Sequence, residues 1–352
     1  MTKLMEYLTH AAQVGASDIF MVPGAPVSYK MDGLLTAMDD NKLMPGQSEA
    51  LIGEIYTLAQ RDMAHYRATG DDDFSFAVPG LARFRVNAYR QRGSLAAVVR
   101  VVAFNIPDYR ELGIPEQVME LTREHSGMIL VAGTAGCGKS TTLACLIDKI
   151  NKNRACHIIT LEDPIEYLHR NCKSIVSQRE IAVDTTDYLS ALRACLRQAP
   201  DVIQLGEMRD LETIRTAMTA AETGHLLLAT LHTKGAVNTI DRIIDTFPSG
   251  QQEQIRIQLS TVLKAVVSQQ LVPDVDGGQI PVFELMHMNS AIKSMIRDSK
   301  NHQIPAAIAS GGKEGMVSMD QSLFALYQAG RITKEVALEY ADNPEQMLRR
   351  IG

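Results

Sequence analysis

Gly133-Thr134-Ala135-Gly136-Cys137-Gly138-Lys139-Ser140-Thr141 follows the apolar run Met128-Ile-Leu-Val-Ala132 and opens a helical pattern over Ser140–Asn151. The stretch fits G-x-x-x-x-G-K-[ST] in the strand, turn and helix context that motif requires. Its glycines permit a tight turn, so successive backbone N–H groups can face a phosphate. The positive end of the following helix adds to that field. Lys139 is placed to reach the β- and γ-phosphates, and the Ser140 hydroxyl to bind Mg²⁺. The loop predicts a nucleoside triphosphate site. ATP is favoured over GTP: Asn151-Lys-Asn-Arg154 ends in Arg where a guanine-reading NKxD motif needs a carboxylate, and it reads as a polar helix end.

Outward from the loop, short apolar runs at Met128–Ala132, His157–Leu161, Val202–Leu205 and Leu226–Leu231 read as strands. Helical patterns lie at Ser140–Asn151, Tyr188–Arg197, Leu211–Glu222 and Gln252–Gln269. Brief strands, apolar on both faces and interleaved with helices, predict an α/β domain with a mainly parallel sheet. Hydrolysis needs a carboxylate at a strand end near the γ-phosphate. Asp201-Val-Ile-Gln-Leu-Gly206-Glu207 offers one, and Thr160-Leu-Glu162-Asp163-Pro164-Ile-Glu166 offers three. A lone strand-end acid is usually a cap or a solvated loop residue, but ligands of open α/β sheets gather at strand carboxyl ends. His225 and His232 flank the last apolar strand; histidines so placed are more often structural than catalytic.

Residues 1–104 read differently, as a small α+β module. Short strand-like runs (Ile19–Val22, Leu81–Val86, Leu95–Val102) mix with helical stretches near Met1–Val14 and Ser48–Thr57, separated by turn signals such as Pro23-Gly24 and Pro79-Gly80. The proline-bearing stretch 105–111 is the expected linker, and 112–352 the second domain. Between residues 74 and 107 stand Arg83, Arg85, Arg90, Arg92 and Arg100 with no acid. Arg83, Arg85, Asn87 and Tyr89 share one strand face. Such a strip is a solvated face, a nucleic-acid contact, against which the acidic remainder of the chain weighs, or an anion site, since guanidinium forks suit phosphate oxygens.

The chain has 352 residues with 35 basic and 41 acidic, a net charge of −6, and 45% hydrophobic residues. These values exclude a disordered or collagenous chain, and length suggests about two domains. The acidic balance argues against a direct nucleic-acid binder. No apolar run approaches the ~18 residues of a membrane span. The N-terminus lacks a secretory signal pattern. Five cysteines without a CxxC pair encode neither a disulfide framework nor a zinc ribbon, so a cytoplasmic location is expected.

Together, Gly133–Thr141, Glu162-Asp163-Pro164-Ile165-Glu166-Tyr167, Gly206-Glu207-Met208-Arg209-Asp210, and Ala221-Glu222-Thr223-Gly224-His225 with Thr230-Leu231-His232-Thr233 carry a resemblance. They are similar to the Walker A, Asp box, Walker B and His box of the secretion ATPases, the hexameric motors of type II secretion and type IV pili. Ser17-Asp18, Gln178-Arg-Glu180 and Asp245-Thr-Phe-Pro248 extend the match along nearly the whole chain. Its length, its lack of a tetracysteine motif and Ala291-Ile-Lys-Ser-Met-Ile-Arg-Asp298 resemble the pilus-retraction branch. Extension or type II secretion motors, and a non-hydrolysing accessory ring subunit, are the alternatives.

The resemblance implies a RecA-like P-loop ATPase domain preceded by a smaller PAS-like α+β domain. It implies Mg²⁺–ATP as cofactor, a homo-hexamer, an inner-membrane pilus assembly platform as partner, and a place at the inner face of the cytoplasmic membrane. Twitching motility and DNA uptake are the implied outputs. By position, Glu207 is the catalytic glutamate, and Glu166 polarises water or metal. His225 and His232 report on the γ-phosphate, and Arg83, Arg85 and Arg90 are the candidates to touch phosphate from the N-terminal domain. Three positions depart from the family pattern. Cys137 replaces Ser and, beside Lys139 and a helix N-terminus, is a candidate for a lowered pKa and for oxidation or alkylation. Gln204 interrupts an apolar strand, and Lys293 replaces an arginine.

Overall fold

The computed structural model describes residues 2–31, 33–102 and 106–352. It divides into two compact units, Met1–Asn105 with Glu166–Leu168, and Ile106–Ile165 with His169–Gly352.

In the first unit, α1 (Lys3–Val14) leads into β1 (Asp18–Met21), β2 (Pro26–Met31) and β3 (Leu34–Lys42). Helices α2 (Pro45–Leu58) and α3 (Ala64–Thr69) follow, then β4 (Asp71–Val78), β5 (Ala82–Gln91) and β6 (Ser94–Val102). The strands form one antiparallel sheet in the order β3-β2-β1-β6-β5-β4. Alternation explains its two faces: Phe84, Val86 and Ala88 of β5 are buried against apolar residues of α1, α2 and α3, while Arg83 and Arg85 point the other way. This is the expected α+β module, with β2, β3, β4 and α3 added to the sequence reading.

The expected linker is more firmly held than a free connector. Position 105 lies outside the described residues. Ile106 and Tyr109 pack on the core of the second unit. Tyr109 donates a 2.5 Å hydrogen bond to Glu116, and the Lys149 ammonium lies 5.4 Å over its ring.

The second unit opens with α4 (Glu116–Glu120) and β7 (Gly127–Ala132), the apolar run before the loop, all six residues of which are buried. The chain continues through α5 (Lys139–Asn153), β8 (His157–Glu162), β9 (Ile175–Glu180), α6 (Tyr188–Cys195), β10 (Val202–Leu205), α7 (Leu211–Glu222) and β11 (Leu226–Leu231). Then come α8 (Ala236–Asp245), α9 (Ser249–Val262), β12 (Leu263–Pro273) and β13 (Gln279–His287). Five helices close it: α10 (Ser290–Arg297), α11 (Ile304–Ser310), α12 (Met319–Gln328), α13 (Lys334–Tyr340) and α14 (Pro344–Ile351).

The sheet order is β13-β12-β7-β11-β10-β8-β9, parallel except for β13. Ile129, Val131, Val202 and Leu228 face α5, while Leu130, Ile203, Leu205 and Leu227 face the opposite helical layer. Burying each such side chain contributes about 1.5–3 kcal/mol. The helix expected over Gln252–Gln269 ends at Val262, and the chain passes directly into β12. The run Leu263-Lys-Ala-Val-Val is apolar at too many positions to show a period, and it pairs with β7 and β13. Strand β9 was not foreseen because Ile175-Val-Ser-Gln-Arg-Glu180 is polar and sits at the sheet edge. Among the described residues no helix is long and apolar enough to cross a membrane.

Candidate active site around the phosphate loop

The loop leaves the carboxyl end of β7, and its glycines are required by their backbone. Gly133, Gly136 and Gly138 have φ of 151°, 78° and 89°, in the region that side chains avoid. A Cβ on Gly133 would stand 2.5 Å from the Cys137 Sγ and 2.4 Å from the Gln269 carbonyl oxygen. Gly138 is the N-cap of α5 and supplies no side-chain cap. Helix N-termini hold phosphate through their first N–H groups. Thr134, Ala135 and Gly136 are exposed at the loop tip, whereas Ser140 and Thr141 are half-buried. Lys139 is buried, and its ammonium donates to the carbonyls of Gly133 and Thr134, both at 2.8 Å.

Strand order decides what faces this loop. Strand β11 lies between β7 and β10, so the residue after β11 stands between the loop and the acid after β10. That residue is His232. Its Nδ1 is 3.5 Å from the Lys139 Nζ, and its Nε2 is 3.2 Å from Glu207 Oε2. An ammonium can only donate, so Nδ1 accepts and the ring proton sits on Nε2, donating to Glu207. The other oxygen of Glu207 is 2.7 Å from the Arg209 guanidinium. The Glu207 side chain is 12% exposed. The turn that carries it is anchored to β11: the Thr230 hydroxyl donates to the Gly206 carbonyl, and the Met208 N–H to Thr230 O at 3.2 Å. Tyr188 packs where a side chain on Gly206 would go. Burial, reinforced by the Glu207 charge, holds its hydroxyl well above the usual phenol range.

The other expected residues fall elsewhere. His225 precedes β11, whose Leu226 pairs with Gly127 at the start of β7. Six strand residues lie between it and His232, seven steps or about 23 Å at ~3.3 Å per residue. Its ring Nδ1 lies 2.9 Å from Ala220 O and 3.2 Å from the Thr223 hydroxyl. Within one chain His232 faces the loop, while His225 lies at the end of α7. Of the three acids at and beyond the end of β8, Glu162, the last strand residue, is buried and accepts from the Thr160 hydroxyl at 2.5 Å and the Gln178 amide at 3.2 Å. Asp163 and Glu166 are exposed, and Glu166 groups with the first unit. The expected activation of Cys137 is corrected. Its side chain is buried, and burial outweighs the nearby Lys139, pushing the thiol above its ordinary range.

In the first unit Arg83 and Arg85 share the sheet face away from the helices. Arg83 Nη2 lies 3.3 Å from the Ser75 hydroxyl. Arg85 pairs across the sheet with Arg100, whose guanidinium binds Asp18 on β1 at 3.0 Å. A strip free of acids along the chain thus has an acid beside it in space. Arg90 has the opposite strand parity and donates to Arg67 O at 3.1 Å. Asn151 is buried, giving its amide to Arg170 O and accepting from Cys172 N, a structural role that accounts for the imperfect NKxD match.

Two features were not read from the sequence. A cavity of ≈ 410 Å³ adjoins the loop, lined by Gly138, Thr141, Thr142, Leu112, Asp274 and Gln269 among others. That volume is within the range of nucleotide-sized sites, about 300–1,000 Å³. Gln269 of β12 is buried; its amide donates to Cys137 O at 2.7 Å and its carbonyl accepts from the Thr142 hydroxyl at 2.7 Å. The helical reading of Gln252–Gln269 concealed it.

A parallel sheet with a phosphate loop at one strand end and a carboxylate two strands away is the layout of a P-loop nucleotide hydrolase. The chain belongs to the Type II/IV secretion system protein family, whose model matches residues 1–328. It is 43% identical to the Type IV pilus retractation ATPase PilT of Pseudomonas aeruginosa, covering 97% of this chain and 99% of that protein. It is 40% identical to the Type IV pilus ATPase PilU of the same organism, over 95% of this chain and 87% of that one. A crystal structure of the pilus retraction motor PilT with bound ADP superposes with a TM-score of 0.89 at 44% identity. The match covers 99% of this chain and all of that one.

Proposed function

We propose that this chain is a Mg²⁺-dependent ATPase that drives retraction of type IV pili. The observation carrying the chemistry is the line Lys139, His232, Glu207 at the phosphate loop. Similarity to PilT along the full chain carries the biological role. The loop N–H groups and Lys139 bind the triphosphate; Lys139 exchanges the carbonyls of Gly133 and Thr134 for phosphate oxygens. The nucleoside lies in the adjoining cavity. Glu207 orients and deprotonates the attacking water, a proton transfer that contributes about 10²–10⁴-fold. His232 holds Glu207 by its Nε2 proton and, through Nδ1, senses whether Lys139 has moved.

The oxygen donors suit a hard cation, and no group of three metal-binding side chains occurs among the described residues. The ion would be held by the Ser140 hydroxyl, phosphate oxygens, water and Glu166. When bound, Mg²⁺ would supply neutralisation of the phosphate charge. Arg83, Arg85 and Arg90 are proposed to reach phosphate in a homo-hexamer, at the cytoplasmic face of the inner membrane, where the ring works on the pilus assembly platform. Deleting the gene tests the role: hyperpiliated, non-retracting cells support retraction, whereas bald cells overturn it in favour of extension. Equal, slow ATP turnover by wild type and Glu207→Ala would sink the enzyme reading and leave an accessory subunit.

A further inference from the structure

Gln269 is the contact between β12 and the phosphate loop, and it meets the loop at two points. Its amide nitrogen is 2.7 Å from Cys137 O, within the loop, and its amide oxygen is 2.7 Å from the Thr142 hydroxyl, one turn into α5. A backbone carbonyl can only accept, so the Cys137 contact fixes which end of the amide is nitrogen. The oxygen is then left for the threonine proton. Gln269 is 3% exposed. The surrounding backbone is shaped to admit it: a Cβ on Gly138 would come within 2.9 Å of the Gln269 amide nitrogen, and one on Gly133 within 2.4 Å of its backbone oxygen.

We infer that Gln269 is a positioning residue for nucleotide binding, setting the orientation of the Cys137–Gly138 peptide. A trans peptide is planar, with its N–H opposed to its C=O. Holding the Cys137 carbonyl toward β12 therefore turns the Gly138 N–H away from the strand, into the hollow of the loop. The second bond, to Thr142, holds α5 at the matching height, so the loop and helix N-terminus present their donors together. Gln269 also lines the ≈ 410 Å³ cavity beside Thr141 and Thr142. Preorganised donors bind an anion without the cost of ordering them.

The inference rests on the reading of this loop as a nucleotide site, and the test separates the two. Binding of a fluorescent methylanthraniloyl-ADP is measured for wild type, Gln269→Glu, Gln269→Met and Thr142→Val, together with the thermal midpoint of each nucleotide-free protein. Gln269→Glu keeps the shape and sets a carboxylate oxygen against the Cys137 carbonyl. Gln269→Met keeps the volume, removes both bonds and buries no charge, so it serves if the first variant fails to fold. The expected result is an affinity loss of about tenfold or more for both Gln269 variants and a smaller loss for Thr142→Val. In turnover, KM rises by the same factor while kcat at saturating ATP changes little. Unchanged affinity in a folded Gln269 variant overturns the inference, as does a lowered thermal midpoint with affinity and KM retained. Absence of binding by wild type overturns the nucleotide reading itself.

Discussion

His232 gives its Nε2 proton to Glu207 across 3.2 Å while its Nδ1 faces the Lys139 ammonium at 3.5 Å. One imidazole thus touches both the phosphate-binding cation and the hydrolytic acid. Glu207→Gln keeps the shape and removes the base. It is expected to lower kcat about 10²–10⁴-fold, the usual contribution of a positioned proton acceptor, with nucleotide affinity preserved. Steady-state turnover and equilibrium binding on the same preparation check this; a parallel loss of binding would mean that Glu207 supports the loop instead.

Cys137 lies in the loop yet is shielded, and burial raises its thiol above the ordinary range. Less thiolate at neutral pH means slower alkylation. With iodoacetamide on the native protein, the exposed Cys172 is expected to react first and Cys137 to remain unmodified. Mass spectrometry of proteolytic peptides reads the order, and early labelling of Cys137 would contradict it.

Gln204 is buried in β10, and its amide oxygen lacks a hydrogen-bond partner among the described residues. Strand neighbours Thr160 and Leu228 flank it. Leaving a buried acceptor unpaired costs about 1–3 kcal/mol. Gln204→Met, similar in volume, is expected to raise stability by an amount within that range, seen as a higher urea midpoint. A lower midpoint would show that the amide is satisfied in solution.

Glu284 accepts from the Ala236 N–H at 2.8 Å at the start of α8 and is buried. Burial, with Asp342 and Asp320 adding negative charge, raises its carboxyl above the ordinary 4.5. A raised acid pKa in the folded state favours folding at low pH, and that stability is lost as pH climbs from 4.5 toward the raised value. Glu284→Gln keeps an acceptor for Ala236 and removes the titration. It should be more stable than wild type at pH 7, with the advantage vanishing below pH 4.5, where both are neutral. Thermal midpoints across pH test the sign.

Much of the site was legible because its chemistry is local. The loop needs glycines with positive φ, a lysine and a hydroxyl at fixed spacing, and nine consecutive residues display all of it. Glu207 was legible as the acid ending an apolar strand. The two-histidine pattern was legible too, and its six-residue spacing sets the two rings at opposite ends of one strand. Gln269 was hidden because an apolar run without clear period reads as helix or strand alike.

By itself, the sequence determined that a strand, a phosphate loop and a helix stand in that order, and that α/β layers bury the apolar runs. These follow from backbone geometry and side-chain pattern over a few residues. The tertiary structure decided that β11 inserts between β7 and β10 although it follows β10 in the chain. That placement puts His232 between Lys139 and Glu207 and sends His225 to the far end. It likewise brought β12 against the loop, giving Gln269 its two partners. Strand order arises from long-range pairing among similar apolar strands, such as Gly127 with Leu226, and the Thr142–Gln269 bond likewise joins distant residues.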